Sequence, residues 1–326
     1  MYQMRILQKT KMNFYFKKLE ILPSNIGYIE FNGFAIPSQS ARKTINSAMQ
    51  FVSHTDALII DLRNNFGGNG STANEIASYF FKTKTYTGRS FNRIENKWTN
   101  GYLENKRTIT NGLILNMPVY ILTSNRTFSA AEGLAYTLQN IKNAVIIGDT
   151  TRGGAHLTRS FSLGNGFVGF IPFARGENAA TNTDWEGTGV IPNIATEESD
   201  CLITAQNTIL HKKLAAAINE TDKRKINYII NYNKSKNSSV IIDSLNALKL
   251  IGRFAEFEVA LQGSKLMFRD TNQRNSNYKK MTGITSTLFQ VGNDYQVEFV
   301  IKNGLFNSIK MYWDDGYEDK ISKSDK

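Results

Sequence analysis

Three stretches of this chain hold residue types suited to nucleophilic chemistry. The first is the pair Gly67-Gly68, following an apolar run. Glycines let bare backbone N–H groups approach a ligand, although a simple strand-to-helix turn also accounts for such a pair. The second is Ser129-Ala130-Ala131-Glu132. Its S-x-x-E spacing fits a capping box, with Ser129 at the N-cap and Glu132 three residues on. The same placement sets a hydroxyl at a helix N-terminus, whose N–H groups and dipole suit a developing oxyanion. The third runs Thr150-Thr151-Arg152-Gly153-Gly154-Ala155-His156 and resumes at Asp184-Trp185-Glu186-Gly187-Thr188-Gly189-Val190. It offers an imidazole and carboxylates, the groups that activate a serine. A lone histidine in a glycine-rich turn is more often structural. If the three stretches meet, acyl transfer at Ser129 is the chemistry they share.

Meeting requires elements that carry them to one place. Ala57 to Leu62, Pro118 to Thr123 and Ala144 to Gly148 are continuous apolar runs, as expected of strands buried on both faces. Each runs into one of the three stretches. Helices are predicted from near Ser38, over about 71–81, and from Ser129 to about Asn140. Strand, loop and helix alternate, so the predicted class is α/β with much parallel pairing. In such sheets the loops at the C-terminal strand ends converge on the site. A strand pair, Phe16 to Ile21 and Ile26 to Phe31, precedes this region across the turn Pro23-Ser24-Asn25. Residues 82–116 read as a less regular polar stretch, and shorter strands are expected over 158–174. A helix starts near Glu198, with a break expected at 220–222.

The organisation reads as a catalytic core over 14–215, a basic helical connector over 216–249 and a small all-β module over 250–320. The 326 residues carry 39 Lys plus Arg against 28 Asp plus Glu, a net charge of +11. Five basic residues against one acidic stand in 1–20, 15 against 14 in 21–210, and 19 against 13 in 211–326. The excess thus sits at the two ends, away from the candidate loops, which argues against nucleic acid as a partner. One cysteine, Cys201, excludes an intramolecular disulfide, and three scattered histidines (His54, His156, His211) make no zinc motif. No metal or cofactor is expected. No apolar run approaches the ~20 residues of a membrane span, and the opening residues lack the apolar segment of a signal peptide.

Together the motifs resemble the tail-specific (C-terminal processing) serine protease family, in the branch of the tricorn core protease and the interphotoreceptor retinoid-binding protein. The resemblance rests on ALIIDLRNNFGG (57–68), YILTSNRTFSAAEGLAY (120–136), IGDTTRGGAH (147–156), WEGTGVIPN (185–193) and the opening strand pair, LEILPSNIGYIEFNGF. It implies a crotonase/Clp-like α/β core of ββα units that cleaves peptides through an acyl-enzyme. Ser129 falls on the nucleophile and Glu186 on the acidic member of the catalytic group. The Ala130 N–H and a glycine N–H from Gly67 or Gly68 fall on the oxyanion hole. Where the Ser-Lys branch carries its base lysine, this chain has Gly154. The tricorn-like branch takes its base from a histidine before the core strands, and none precedes His54, itself poorly placed at a helix end. His156 is the substitute candidate for the base.

The resemblance therefore implies a serine endopeptidase acting on a peptide or protein, with activity impaired if no base is supplied. The simplest account of the missing base is a truncated or shortened family member. A non-catalytic pseudo-peptidase that binds peptides or hydrophobic ligands is the alternative. A crotonase-like acyl-CoA enzyme is a third reading, but one with no need of Ser129 or of the Trp185-Glu186-Gly187 block. Family members usually reside in the periplasm or cell envelope. Without a signal peptide, the expected location is the cytoplasm, or the chain is a truncated exported protein. Oligomeric state is not readable from the sequence.

Overall fold

The structure, a computed structural model, describes residues 12–273, 276–302 and 305–324. Residues 1–11, 274–275, 303–304 and 325–326 lie outside the described residues. The chain forms two compact units, 1–206 and 207–326.

The first unit is built on a six-stranded sheet, ordered β1-β2-β3-β6-β7-β10. β1 (Phe16–Leu22) and β2 (Ile26–Phe31) are the antiparallel pair expected from the Pro-Ser-Asn turn. From β2 onward the pairing is parallel through β3 (Ala57–Asp61), β6 (Val119–Thr123), β7 (Val145–Gly148) and the short β10 (Ile194–Ala195). All five residues of β3 are buried, as its unbroken apolar run predicts. Helices α1 (Gln39–Phe51), α2 (Gly70–Ser78) and α4 (Ala130–Lys142) supply the crossovers, and α3 (Arg107–Thr110) is a single turn. Apolar residues at helical spacing in α1 (Ile45, Ala48, Met49) join Leu58 and Ile60 of β3 in one core cluster. Ala73, Ile76 and Ala77 of α2 and Leu134, Ala135 and Leu138 of α4 complete it.

The region 82–116 departs from its sequence reading. It contains two strands, β4 (Thr85–Asn92) and β5 (Lys97–Leu103), which join β8 (Leu157–Gly164) and β9 (Phe167–Asn178) in a four-stranded antiparallel sheet. Most residues of β4 and β5 are at least partly exposed, so no apolar alternation marks them. The pairing of β4 with β9 also spans more than 80 residues of chain, as in Arg89 with Glu177, and β5 joins the sheet only through β4.

Helix α5 (Cys201–Ala216) leads toward the second unit. The helix break falls at 217–219 rather than 220–222, because the Asn219 side chain caps α6 (Glu220–Lys236) by accepting the Asp222 N–H. The basic stretch expected to be a connector packs on strands of its own unit. There Gln296 donates to the Tyr228 carbonyl at 2.8 Å. After α7 (Ser244–Leu250), eight strands follow as an antiparallel meander: β11 (Gly252–Phe254), β12 (Phe257–Gln262), β13 (Lys265–Asp270), β14 (Lys279–Gly283), β15 (Leu288–Val291), β16 (Tyr295–Lys302), β17 (Leu305–Tyr312) and β18 (Glu318–Ser322). The Ser324 N–H donates to the Arg253 carbonyl at 2.9 Å, so chain beyond the last strand returns to the first. Phe254, Phe268, Phe289, Phe299, Ile309 and Met311 fill the interior. Among the described residues no helix is long and apolar enough to cross a membrane.

Candidate active site

The three candidate loops follow the C-terminal ends of β3, β6 and β7, which are adjacent in the parallel sheet. The topology therefore carries them to one edge. The loop after β3 is anchored by Asn65, which is fully buried. Its side-chain amide donates to the Phe31 carbonyl at 2.9 Å, and its Oδ1 accepts the Gly67 N–H at 2.9 Å. The Gly67 carbonyl accepts the Phe34 N–H at 2.9 Å. Gly68 has φ 134°, and a Cβ there would lie 2.3 Å from the Phe34 carbonyl oxygen, so only glycine fits.

The loop after β6 leads to Ser129. Thr127 ties it to the end of β3 by donating its hydroxyl to the Leu62 carbonyl at 2.8 Å. The Phe128 N–H donates to the Asn65 carbonyl at 3.1 Å. Ser129 has φ 55° and ψ −119°, far from the extended backbone of an ordinary capping serine. It sits half-buried on a tight turn at the start of α4. Gly67 abuts that turn, since a Cβ on it would lie 2.8 Å from the Ser129 Cβ and 3.1 Å from the Ala130 nitrogen. The Gly67 N–H is taken by Asn65, whereas the Gly68 and Ala130 N–H groups have no acceptor among the described residues. Of the two glycines, Gly68 is thus the one with a free donor.

Glu132 has a larger role than its spacing suggests. It reaches back to the Ser129 N–H at 2.7 Å, as the S-x-x-E pattern predicts. Fully buried, it also accepts the Thr151 hydroxyl at 2.6 Å, the Gly153 N–H at 2.6 Å and the Gly154 N–H at 2.9 Å. Four donors offset the desolvation of one carboxylate and fasten the loop after β7 to the serine turn. Sequence reasoning saw the cap alone, because Thr151 and Gly153 are about twenty residues away.

Glu186 and His156 form a neighbouring cluster. Glu186 Oε2 accepts the Ala155 N–H at 2.7 Å and the His156 N–H at 2.8 Å. The His156 ring places Nε2 3.2 Å from Asp184 Oδ2 and Nδ1 3.9 Å from Glu186 Oε2. Both ring nitrogens thus face carboxylates. The cluster is joined to the Ser129 turn through backbone: the Gly187 N–H donates to the Gly153 carbonyl at 2.9 Å, and Gly153 is held by Glu132. No imidazole, ammonium or carboxylate hydrogen-bonds the Ser129 hydroxyl among the described residues. A cavity of about 500 Å³ opens beside His156, lined by Phe91, Arg93, Pro172, Phe173 and Arg175.

The remaining sequence features fall into place around this edge. A Cβ on Gly154 would lie 2.1 Å from the Phe128 ring, so the phenyl group fills the space a side chain at 154 would need. Arg152 stacks over the same ring at 5.2 Å. His54 precedes the N-terminal end of β3, the far end of the strand from the loops, and its carbonyl accepts the Asn25 side chain. Among the described residues no group of three or more His, Cys, Asp and Glu is arranged to hold a metal.

Comparison with known proteins bears on the family and the fold. The model of peptidase family S41 matches residues 25–196. The chloroplastic carboxyl-terminal-processing peptidase 2 of Arabidopsis thaliana is 28% identical over 174 residues, covering 52% of this chain and 31% of that protein. The carboxyl-terminal-processing protease of Synechocystis is 28% identical over 178 residues, covering 53% of this chain and 38% of the relative. The chain thus spans about a third of the length of these curated relatives. A candidate peptidase of known structure from Parabacteroides merdae superposes with a TM-score of 0.51 at 22% identity, over 66% of this chain and 72% of that one. That likeness concerns the fold.

Proposed function

The chain belongs to peptidase family S41, and from that premise we propose that it is a serine peptidase with Ser129 as nucleophile. The observation that carries this reading is the Ser129 turn. A non-glycine residue at φ 55° opens a helix and abuts Gly67, and the Gly68 and Ala130 N–H groups have no acceptor among the described residues. Backbone held in so sparsely populated a region is stored where surrounding contacts over-determine it, as Glu132, Asn65 and Thr127 do here.

In the proposed reaction Ser129 Oγ attacks the carbonyl carbon of a peptide in extended form. The Gly68 and Ala130 N–H groups hold the oxygen as it becomes negative. Collapse of the tetrahedral species expels the amine and leaves the acyl chain on Ser129, which water then hydrolyses. Glu186 is the acidic member of the catalytic group and orients the base or the attacking water. His156 acts as that base only if its ring leaves Asp184. By analogy with the carboxyl-terminal-processing relatives, the substrate is a peptide or protein segment.

A fluorophosphonate probe tests the assignment, because it needs a nucleophilic serine and an oxyanion hole but no particular substrate. Labelling that disappears in Ser129→Ala is the expected result. Failure of the intact chain to label, with an upstream histidine-bearing segment of a relative added back, sinks it. His156→Ala that labels at the native rate removes His156 from the mechanism. The second reading, a pseudo-peptidase that holds peptides without cutting them, draws support from Ser129 having no base bonded to its hydroxyl among the described residues. Peptide binding unchanged by Ser129→Ala, with no turnover, favours it.

A further inference from the structure

The charges of residues 21–210 nearly cancel, 15 basic against 14 acidic, but they are not evenly spread. One face of the four-stranded sheet gathers cations. The register of β4 and β9 sets Arg89 opposite Glu177 and Phe91 opposite Arg175, and the Arg93 N–H donates to the Phe173 carbonyl at 2.8 Å. Alternation along the strands puts Arg89 and Phe91 on the face that carries Phe173, Arg175 and Glu177. Arg159 of β8 reaches the same face, its guanidinium 4.8 Å from the centre of the Phe161 ring and 5.8 Å from that of Phe173. Glu177 is already engaged, since Arg89 donates to it at 2.7 Å and Arg175 stands 3.4 Å away. Arg93 and Arg159 have no ion-pair partner among the described residues. Arg175 has five N–H donors and one distant carboxylate, so it too can bind more.

The cavity of about 500 Å³ beside His156 draws on this face: Phe91, Arg93, Phe173 and Arg175 line it. Its lining includes two arginines and His156 but no carboxylate. Asp184 and Glu186, which flank the His156 ring, lie outside the lining. The volume falls within the roughly 300–1,000 Å³ of ligand pockets. Guanidinium groups suit a carboxylate, which they can bind through two parallel N–H donors, and the phenyl walls suit the methylenes that carry it. The cavity also stands next to the chemistry. His156 is two residues from Gly154, which packs on the ring of Phe128, the neighbour of Ser129. Arg159 extends the positive charge beyond the cavity, which fits an acidic peptide segment better than a single terminal carboxylate.

We propose that this cavity is a specificity pocket of the Ser129 site and takes a glutamate or aspartate side chain of the substrate, selected by Arg93 and Arg175. Its role rests on the peptidase reading, but its test measures binding and does not. Acetylated, amidated octapeptides of alanine and serine carry one glutamate at successive positions, and a matched set carries glutamine. Fluorescence anisotropy reads their binding to the native chain and to Ser129→Ala. The best glutamate peptide should bind at least about tenfold more tightly than its glutamine twin. Arg93→Gln and Arg175→Gln should each reduce that ratio several-fold. Arg93→Glu, at an exposed position, should shift the preference toward a lysine peptide. Equal affinity for the two sets overturns the proposal, as does a preference that survives both glutamine substitutions together. A glutamine peptide with a free C-terminus that binds as tightly as the glutamate peptide overturns it in favour of the terminal carboxylate. A single-stranded oligonucleotide that displaces the glutamate peptide at lower concentration overturns it in favour of phosphate. The two readings fail separately: glutamate preference without fluorophosphonate labelling removes the peptidase and leaves the pocket, and labelling without the preference removes the pocket alone.

Discussion

The Glu132 carboxylate accepts the backbone N–H of Ser129 at 2.7 Å, and with its remaining capacity it holds Thr151, Gly153 and Gly154. One buried side chain thus joins the turn after β6 to the loop after β7. Through Gly153 the connection reaches Gly187, next to Glu186. The position of the candidate nucleophile relative to its acidic partner therefore depends on a residue with no assigned part in bond making or breaking.

Replacing Glu132 should show this. Glu132→Ala leaves three backbone N–H groups without their acceptor, at about 1–3 kcal/mol for each that stays buried. A fall in Tm is expected, together with loss of fluorophosphonate labelling at Ser129. Glu132→Gln retains the shape but turns one acceptor atom into a donor facing N–H groups. It should fold, with kcat lower by about 10²-fold and KM less affected, the pattern of a misplaced reacting group. Native kcat in a folded Glu132→Gln enzyme would contradict the positioning role.

The packing of Phe128 against Gly154 predicts a paired effect. Gly154→Lys forces its Cβ into the phenyl ring, 2.1 Å away, and overpacking of this kind typically costs about 1–3 kcal/mol. Phe128→Ala should recover part of that loss in the double variant, which thermal melts will measure. Equal stability of the native chain and Gly154→Lys would show that the ring moves aside freely.

Gly68→Ala should separate catalysis from folding less cleanly but with a larger kinetic effect. The substitution meets both an unfavourable φ of 134° and the Phe34 carbonyl. Displacing its free N–H from the proposed oxyanion site should lower kcat by about 10²–10³-fold, the size expected for one lost donor. A variant that melts normally and turns over normally would rule Gly68 out of the oxyanion site.

Cys201 offers a test independent of activity. It is fully buried, and burial pushes its thiol up to about 11. The unfolded thiol ionises near ~8.5, so the native state holds its proton more tightly. Its contribution to stability is fully present below the unfolded value and is lost as pH rises through about 11. Iodoacetamide at mildly alkaline pH should therefore react slowly with the native protein and rapidly after denaturation. Fast native labelling would mean that Cys201 is open to solvent.

Much of the core was legible before the structure. The runs Ala57 to Leu62 and Pro118 to Thr123 marked buried strands, and the glycine and Ser-Ala-Ala-Glu loops after them marked one sheet edge. These signals are local: burial on both faces demands an unbroken apolar run, and a sharp loop beside a ligand demands glycine. The order of motifs along the chain carried the family resemblance for the same reason.

The rest depended on contacts that sequence spacing does not encode. β4 and β5 are polar and partly exposed, and they are held as strands because β4 pairs with β9, more than 80 residues later. The choice of Gly68 over Gly67 as free donor rests on Asn65 claiming the Gly67 N–H. The His156 ring is committed to Asp184, 28 residues away. Glu132 looked like a helix cap because its nearest partner is three residues off, while its other three lie about twenty residues on. The sequence by itself determined the strands, the turns and the residue types available for chemistry, since each follows from local burial and backbone conformation. Which donors remain free, and which carboxylate holds which loop, only the tertiary structure decided, because hydrogen bonds are allotted by proximity in space.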